Sequence, residues 1–306
     1  MEGKVLKISM LLLALAVLCT AVGAADNSRL KIATTTSLYD TGLLDFLQGK
    51  YEDKYNASVS IVSGGTGIAI QYGQRGDVDL LMIHDKAREL KFVQDGDGLQ
   101  RRCIAYNYFV IVGPKNDPAG IKGMNATQAL KIIMEKGKAD PNNVKFVSRG
   151  DNSGTQAREQ LLWKNAGYNY SKINNSGPWY IDAGSGMGAT LLMTNEKSAY
   201  TLSDTGTYMA YRGNLSLVPL IEGGNDLLNV YVAIAINPKK HPGVNCEAAN
   251  QFINYLVSAE GQKLIADYGK DKYGQPLFFP AAGNCDKIGC SAAECAVPTN
   301  ASCAAA

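Results

Sequence analysis

Hydroxyl side chains follow directly on a short apolar run near the start of the chain, and their chemistry suits the binding of an anion. The run Leu30-Lys31-Ile32-Ala33 stops at Thr34-Thr35-Thr36-Ser37, and a helical pattern begins near Thr41 or Gly42. An apolar run that ends in hydroxyls before a helix predicts a strand, a turn and a helix N-terminus. Unpartnered N–H groups and hydroxyl donors at the positive end of a helix attract negative charge. One hydroxyl commonly caps such a helix, but a single cap does not account for the whole cluster.

A second strand with a polar turn follows soon afterwards. Residues 58–62 alternate in polarity and run into Ser63-Gly64-Gly65-Thr66-Gly67, after which a helical pattern starts at Ile68. Glycines let the backbone approach a ligand closely, and Thr66 adds a further hydroxyl. In a parallel sheet both turns open at the same edge, where ligands of open α/β sheets bind.

A third turn of this kind carries an arginine. An apolar run at residues 144–147 predicts a strand, which leads into Ser148-Arg149-Gly150-Asp151-Asn152-Ser153-Gly154-Thr155 and then a helix. Most arginines form surface ion pairs. Because Arg149 lies between an apolar strand and a hydroxyl-rich helix start, we expect it to contact the ligand.

A further glycine-rich turn, Ala183-Gly184-Ser185-Gly186-Met187-Gly188-Ala189-Thr190, precedes a helical run at residues 191–195. Ser185, Gly186 and Met187 are secondary candidates for the site. The turn either contributes backbone donors to the ligand or only permits a tight contact between two parts of the molecule, and the sequence favours neither alternative.

The elements that must position these turns form two lobes. Long apolar runs at residues 104–112 and 230–236 have the character of strands that cross between lobes, with the segment between them forming the second lobe. We therefore predict an α/β fold, each lobe a mainly parallel sheet flanked by helices, with the two crossover strands as hinge. The predicted boundaries are 26–112 and 222–283 for lobe one, 113–221 for lobe two, and 284–306 for a tail rich in cysteine and alanine.

Composition places the chain among exported globular proteins. It has 306 residues, 46% hydrophobic and 19% charged, which is ordinary for a folded protein with sizeable cores. Residues 1–25 have the layout of a secretory signal peptide: two lysines, an apolar run and small residues before the expected cleavage near Ala25. Removal of this segment leaves a net charge of about +1, which argues against nucleic acid and against a polybasic membrane surface.

Cysteines and glycosylation sequons also indicate an extracytoplasmic, cell-surface protein. Lipidation at Cys19 is disfavoured because Leu18 is large where a small residue is preferred. An even number of cysteines after export favours disulfides over a metal site. These cysteines are Cys103, Cys246, Cys285, Cys290, Cys295 and Cys303. Asn-x-Ser/Thr sequons occur at Asn56, Asn125, Asn169, Asn174, Asn214 and Asn300, more often than chance pairing gives.

Taken together, the motifs resemble the tungstate-binding proteins of ABC transporters, within the type II periplasmic binding protein fold. The resemblance runs from about Leu30 to Pro280. It rests on Ala33-Thr34-Thr35-Thr36-Ser37, Gly65-Thr66-Gly67, Gly76-Asp77-Val78-Asp79, Phe109-Val110-Ile111-Val112-Gly113-Pro114, Ser148-Arg149-Gly150-Asp151 with Ser153-Gly154-Thr155, Gly186-Met187-Gly188-Ala189-Thr190 and Ala199-Tyr200-Thr201-Leu202. The cysteine-rich tail departs from the family pattern.

The resemblance implies an extracytoplasmic binding protein that captures tungstate, and also molybdate, in an interlobe cleft and delivers it to an ABC permease. It implies no cofactor, no protein-ligated metal ion, and a monomer that releases its ligand unchanged. The ligand-binding residues that it implies are Thr35, Thr36, Ser37, Thr66, Gly67, Arg149, Ser153, Gly154 and Thr155.

The chemistry of the residues agrees with this and partly discriminates among anions. Tungstate and molybdate are fully ionised at neutral pH and offer only acceptors, so hydroxyls, turn N–H groups and one guanidinium suit them. Phosphate usually carries a proton, which a carboxylate would accept. If Asp151 points at the ligand, phosphate becomes the better interpretation; we expect Asp151 instead to cap the helix or to orient Arg149.

Two other functions fit the sequence less well. An enzyme is disfavoured because the chain has only His84 and His241 and lacks a nucleophile elbow, a Walker loop and a metal-spaced cluster. A lone histidine such as His84 is more often structural than catalytic. A surface domain that senses an anion and signals to a receptor would have the same ligand site and differ only in its partner.

Overall fold

The computed structural model describes residues 29–295, 297–299 and 302–303. The predicted signal peptide, Cys19 and Asn300 lie outside these residues. In chain order the strands are β1 (Arg29–Thr35), β2 (Ser58–Gly64), β3 (Leu80–Ile83), β4 (Gly98–Gly113), β5 (Phe146–Ser148), β6 (Tyr180–Asp182), β7 (Thr201–Asp204), β8 (Val218–Glu222), β9 (Leu228–Ile236) and β10 (Phe279–Pro280).

Helices connect and flank these strands. They are α1 (Thr36–Tyr39), α2 (Leu43–Tyr55), α3 (Thr66–Arg75), α4 (Lys86–Gln94), α5 (Ala126–Ala139), α6 (Gly154–Asn165), α7 (Tyr170–Asn174), α8 (Met187–Glu196), α9 (Thr205–Tyr211), α10 (Cys246–Val257), α11 (Ala259–Asp267), α12 (Lys270–Tyr273) and α13 (Cys285–Ile288). In the part of the chain that the structure describes, no helix combines the length and apolar character needed to span a membrane.

The main sheet has the order β10-β4-β9-β3-β1-β2. Strand β1 is parallel to both β2 and β3, and the register pairs Thr35 with Gly64. The carboxyl ends of β1 and β2 therefore lie side by side, as the prediction of a shared edge required. The α/β fold class is confirmed, but the main sheet is mixed where a mainly parallel one was expected. The reason is that β9 returns from the second half and runs antiparallel to both β3 and β4.

Strand β4 belongs to two parts of the molecule. Up to Tyr108 it pairs with β9, and from Phe109 onwards it pairs with β7 and β8. We call the part built on β1, β2, β3 and β9 the first half and the part built on β5 to β8 the second half. A separate hydrophobic core fills the second half, drawn from residues between Phe109 and Leu227 and including Trp163 and Trp179. The two lobes with their boundaries stay a prediction.

Local chemistry explains most helix starts. Thr35 accepts a hydrogen bond from the N–H of Leu38 and so caps α1, which satisfies one of the unpaired amides of the first turn. Asp85, Asn125, Ser153, Asp204 and Asn245 do the same for α4, α5, α6, α9 and α10. The spacing of Ala249, Phe252, Ile253 and Leu256 in the sequence predicts a helix from Cys246 to Val257, and α10 has these bounds.

Other predicted bounds require correction. The helix expected near Thr41 begins at Leu43, because Gly42 has a left-handed backbone (φ 76°) that ends the preceding turn. The strand expected at residues 144–147 begins only at Phe146, because the N–H of Val144 still bonds to a turn carbonyl. The helix expected at residues 191–195 begins at Met187, directly after the glycine-rich turn.

The cysteine-rich tail is bonded to the body of the protein. Its disulfides are Cys103–Cys290, Cys246–Cys303 and Cys285–Cys295, so two of the three connect the tail to β4 and to the start of α10. The N–H of Cys103 also donates to the carbonyl of Glu294 at 2.7 Å. The tail is therefore held against the first half rather than closed upon itself.

Candidate anion-binding site

The hydroxyl groups at the end of β1 differ in what they bond. Thr34 Oγ1 donates to the carbonyl of Met82 at 2.9 Å, which ties this side chain into the sheet. Thr35 Oγ1 accepts from the N–H of Leu38 at 3.3 Å. Ser37 Oγ lies 3.2 Å from Thr35 Oγ1 and is fully buried. The Thr34 hydroxyl is therefore bonded to the neighbouring strand, whereas those of Thr35 and Ser37 lie together at the end of β1.

His84, which sequence reasoning treated as structural, lies against this cluster. Its Nε2 atom is 3.0 Å from Ser37 Oγ, and its Nδ1 atom is 2.8 Å from Asn229 Oδ1. Burial lowers the pKa of His84 to about 4; the charges of Arg149 and Arg158 act in the same direction and the Asn229 hydrogen bond opposes them. The ring is therefore neutral at pH 7. The signal in the sequence was its place directly after β3, next to β1 in the sheet.

Arg149 joins the two halves of the molecule at this point. Its side chain is 1% exposed, and its Nη2 donates to Thr36 Oγ1 at 2.9 Å and to Asp151 Oδ2. Its Nη1 lies 3.5 Å from Thr155 Oγ1. Its Nε is buried and has no hydrogen-bond partner among the described residues. A guanidinium from the second half thus meets a hydroxyl of the first half while its Nε donor is still unused.

Asp151 orients Arg149 and does not cap the following helix. The cap of α6 is Ser153, whose Oγ accepts from the N–H of Gln156 at 3.1 Å. Asp151 Oδ1 accepts from the N–H of Ser153 at 3.2 Å, and Oδ2 pairs with Arg149. Of the two structural roles expected for this carboxylate, the second is therefore the one observed.

The glycine-rich turn after β2 packs on the loop that follows Arg149. A Cβ atom on Gly65 would lie 2.8 Å from the carbonyl oxygen of Asp151, and one on Gly67 would lie 2.5 Å from Nδ2 of Asn152. These glycines allow a close approach of the two loops, and the approach of a ligand to this turn stays a prediction. Thr66 between them is fully buried, and its hydroxyl has no partner among the described residues.

Gly154 makes a second close contact between the halves. A Cβ atom there would lie 3.0 Å from Cε1 of His84. Gly154 is the first residue of α6, so the N-terminus of this helix faces the His84 ring.

The secondary candidates have separate surroundings. A Cβ atom on Gly186 would lie 3.4 Å from Thr36 Oγ1, which places this turn beside the hydroxyl cluster. Ser185 Oγ donates to the carbonyl of Ala183 at 3.2 Å. The Met187 side chain is fully buried and belongs to the hydrophobic cluster of the main sheet. Of the three, Gly186 lies nearest the hydroxyl groups and Met187 serves packing.

The candidate site has free hydrogen-bond donors, whereas the carboxylate of its loop is already engaged. Two buried donors, Thr66 Oγ1 and Arg149 Nε, have no partner among the described residues, and such groups are costly unless something accepts from them. The carboxylate in the loop, Asp151, is engaged on both oxygens. The arrangement suits an anion that carries only acceptor atoms.

Comparison with known proteins finds relatives over most of the chain. The PBP superfamily domain matches residues 21–260, a range that contains the whole candidate site and ends before the cysteine-rich tail. The tungstate-binding protein TupA of Peptoclostridium acidaminophilum is 42% identical over 254 residues, which cover 82% of this chain and 85% of that protein.

Solved structures agree. The tungstate ABC transporter from Geobacter sulfurreducens is 47% identical with a TM-score of 0.70, over 78% of this chain and 98% of that one. The tungstate-binding protein TupA from Desulfovibrio alaskensis G20 is 41% identical with a TM-score of 0.68, over 82% of this chain and 98% of that one.

Proposed function

The chain belongs to the PBP superfamily and, within it, to the tungstate-binding proteins of ABC transporters, and on this premise we propose that it captures tungstate and delivers it to a membrane permease. It is a solute-binding protein and not an enzyme. The observation that carries the proposal is the hydrogen bond from Arg149 to Thr36, together with the unused buried donors Thr66 Oγ1 and Arg149 Nε.

The choice of anion follows from hydrogen-bond complementarity. Tungstate has no proton at neutral pH, so each of its oxygens can only accept. The ligands we propose are Thr35, Thr36, Ser37, Thr66, Gly67, Arg149, Ser153, Gly154 and Thr155, through hydroxyls, backbone N–H groups and the guanidinium. Molybdate has the same charge and nearly the same size, so we expect it to bind as well.

Phosphate is the second candidate within the same fold. It would require a carboxylate that accepts the proton of the ligand. Because Asp151 is engaged by Arg149 and by the N–H of Ser153, this carboxylate is committed to the loop. The contacts of Asp151 therefore favour the fully ionised anion.

We further propose that the two halves act as lobes with the boundaries predicted above and a hinge near Val112 and Glu222. The separate hydrophobic core of the second half supports this division. The change of β4 partners between Tyr108 and Phe109 supports a crossing close to the predicted hinge. An anion held by Thr36 of one half and Arg149 of the other would favour closure, because the closed form makes both contacts.

The working location that fits this function is outside the cytoplasm. We propose export through residues 1–25, retention at the cell surface, action as a monomer, and docking on the permease of an ABC transporter. Engaging the permease after closure would couple capture to transport.

Isothermal titration of the mature chain tests the proposal. Ligand-stripped protein is titrated in turn with tungstate, molybdate, sulfate and phosphate. Tight binding of tungstate with weak or no binding of sulfate and phosphate supports the proposal. Tight phosphate binding without tungstate binding would overturn it and make the chain a phosphate receptor; no binding of any of these anions would overturn it as well.

A further inference from the structure

Arg88 of the first half hydrogen-bonds to the loop of the second half that follows Arg149. Arg88 Nη1 donates to the carbonyl oxygen of Asn152 at 2.9 Å, and Nη2 donates to Asn152 Oδ1. Two parallel donors on one residue give a defined geometry that a lysine would not reproduce. Arg88 lies on α4, which follows β3, so the contact connects two elements that are 64 residues apart in the chain.

Both partners are held in position for this contact. Arg88 Nε lies 3.2 Å from Asp85 Oδ2, and Asp85 is the residue that caps α4. Asn152 has a left-handed backbone (φ 58°), which asparagine tolerates better than most residues. Gly67 completes the fit, since a Cβ atom there would lie 2.5 Å from Asn152 Nδ2.

The hydrogen bonds between Arg88 and Asn152 use none of the donors proposed for the anion. Asn152 directly follows Asp151, whose carboxylate pairs with Arg149. The loop that Arg88 contacts is therefore the loop that orients the Arg149 guanidinium. Arg88 donates its hydrogen bonds to Asn152 of the second half and forms an ion pair with Asp85 of the first half. Both partners of Arg88 are therefore protein groups.

We propose that Arg88 and Asn152 form a latch that holds the two halves together around the anion without contacting it. This inference rests on the proposed function and adds to it a determinant of how long the anion stays bound. Arg88 acts as a positioning residue: it stabilises the contact between the halves, and Arg149 and the hydroxyls bind the anion.

A latch of this kind has a distinctive effect on affinity. The apparent dissociation constant equals the intrinsic one divided by the fraction of protein in the competent state. Loss of the latch therefore weakens every anion by the same factor, leaves the tungstate-to-molybdate ratio unchanged, and acts mainly by faster dissociation. Loss of a group that contacts the anion is not expected to preserve the tungstate-to-molybdate ratio, because that group interacts with each anion directly.

The test compares Arg88→Ala, Arg88→Lys and Asn152→Gly with wild type. Asn152→Gly removes the side-chain acceptor and keeps a residue that tolerates a positive φ. Arg75→Ala is the matched control, because Arg75 is exposed and pairs with Asp77 of the same half. Titration and stopped-flow dissociation are measured with tungstate and with molybdate, and thermal unfolding verifies that each variant is folded.

We expect Arg88→Ala to raise the dissociation constants of tungstate and molybdate about tenfold, because a charge-assisted contact between partly exposed groups is lost. The ratio of the two constants should not change. Arg88→Lys should recover only part of this, Arg75→Ala should match wild type, and the Arg88→Ala/Asn152→Gly double variant should add little to either single one.

Affinity of Arg88→Ala within twofold of wild type would overturn the latch, and so would a changed tungstate-to-molybdate ratio. Both results require that wild type binds tungstate. Failure of wild type itself to bind would overturn the proposed function, so the two failures are distinguishable.

Discussion

Nε2 of His84 lies 3.0 Å from Oγ of Ser37, although 47 residues separate them in the chain. On its other side, His84 Nδ1 faces Asn229 Oδ1, because the amide nitrogen of Asn229 donates to Asn107 Oδ1 at 2.9 Å and to the Tyr231 hydroxyl at 2.8 Å. An acceptor opposite Nδ1 places the ring proton on Nδ1. His84 Nε2 is then an acceptor, and the proton of the Ser37 hydroxyl points to the ring. The donor that Ser37 would offer to an anion is therefore its backbone N–H.

His84 should therefore be neutral, with its proton on Nδ1, throughout the physiological range. Nitrogen-15 NMR of histidine-labelled protein at pH 7 should give the shift of a protonated Nδ1 and an unprotonated Nε2. The ring should titrate only near pH 4, because burial disfavours the charged form. An Nε2–H tautomer at pH 7 would reverse the assignment of the Ser37 proton.

The same shift makes the fold sensitive to acid. The pKa of His84 is lowered in the folded protein, so its neutral form stabilises the fold above about pH 6.5, the pKa of an unfolded histidine. As pH falls from 6.5 to about 4, roughly 3 kcal/mol of stability should be lost. Urea unfolding of wild type and His84→Gln across this interval measures it. Equal pH dependence in the two proteins would contradict the prediction.

Arg149→Ala should weaken tungstate binding by at least about 2 kcal/mol, because a buried charge-assisted contact is lost. It also leaves the Asp151 carboxylate, now without its guanidinium, beside an incoming dianion. Arg149→Lys keeps the charge but loses the fork, and should fall between Ala and wild type. Titration calorimetry gives the values; near-wild-type affinity of Arg149→Ala would exclude Arg149 as a ligand.

Thr66→Val and Thr34→Val should have opposite effects. Thr66 Oγ1 has no partner among the described residues, so its removal should leave stability unchanged or improved while tungstate affinity falls about tenfold. Thr34 Oγ1 donates to the carbonyl of Met82, so its removal should cost about 1 to 3 kcal/mol of stability with affinity preserved. Thermal unfolding and titration of both variants separate the two outcomes. Loss of affinity in Thr34→Val alone would refute the assignment.

Glu159 should make the second half less stable as pH rises. This buried carboxyl accepts from Ser148 Oγ at 2.6 Å, the Tyr180 hydroxyl at 2.6 Å and Trp163 Nε1 at 3.1 Å, yet burial still raises its pKa to about 7. A raised pKa stabilises the fold at low pH, and this stabilisation is lost as pH rises from about 4.5 to about 7.

Comparison with Glu159→Gln isolates this effect, because glutamine does not titrate. Wild type should lose roughly 3 kcal/mol relative to the variant between pH 4.5 and pH 7. Chemical unfolding at a series of pH values is the measurement, and a constant difference between the two proteins would show that the carboxyl titrates normally.

The disulfides should differ in their contribution to the free energy of unfolding. Cys103–Cys290 joins residues 187 apart, whereas Cys285–Cys295 joins residues 10 apart. By loop entropy, removing the first pair should cost roughly 5 kcal/mol and removing the second roughly 3 kcal/mol. Urea unfolding of the two double-alanine variants tests the order. Peptide mapping without reduction should recover Cys103 joined to Cys290, and any other pairing of Cys103 would invalidate the comparison.

The sequence by itself determined the local elements and the kind of chemistry they carry. Helix α10 is predicted residue by residue because its apolar spacing is a property of one segment. The strand-to-turn-to-helix pattern places Thr35, Thr66 and Arg149 at strand ends for the same reason. Their side chains already specify hydrogen-bond donors for an anion, since donor chemistry belongs to the residue type.

Only the tertiary structure decided which distant groups meet. Sheet order brings His84 to Ser37, and the packing of the two halves brings Arg149 to Thr36 across 113 residues. The cysteine count permits many pairings, and the chain path selects one. The contact of Gly67 with Asn152 likewise comes from the packing of the two halves. Periodicity encodes which face of a segment is buried, whereas the neighbour buried against it depends on the packing of the whole chain.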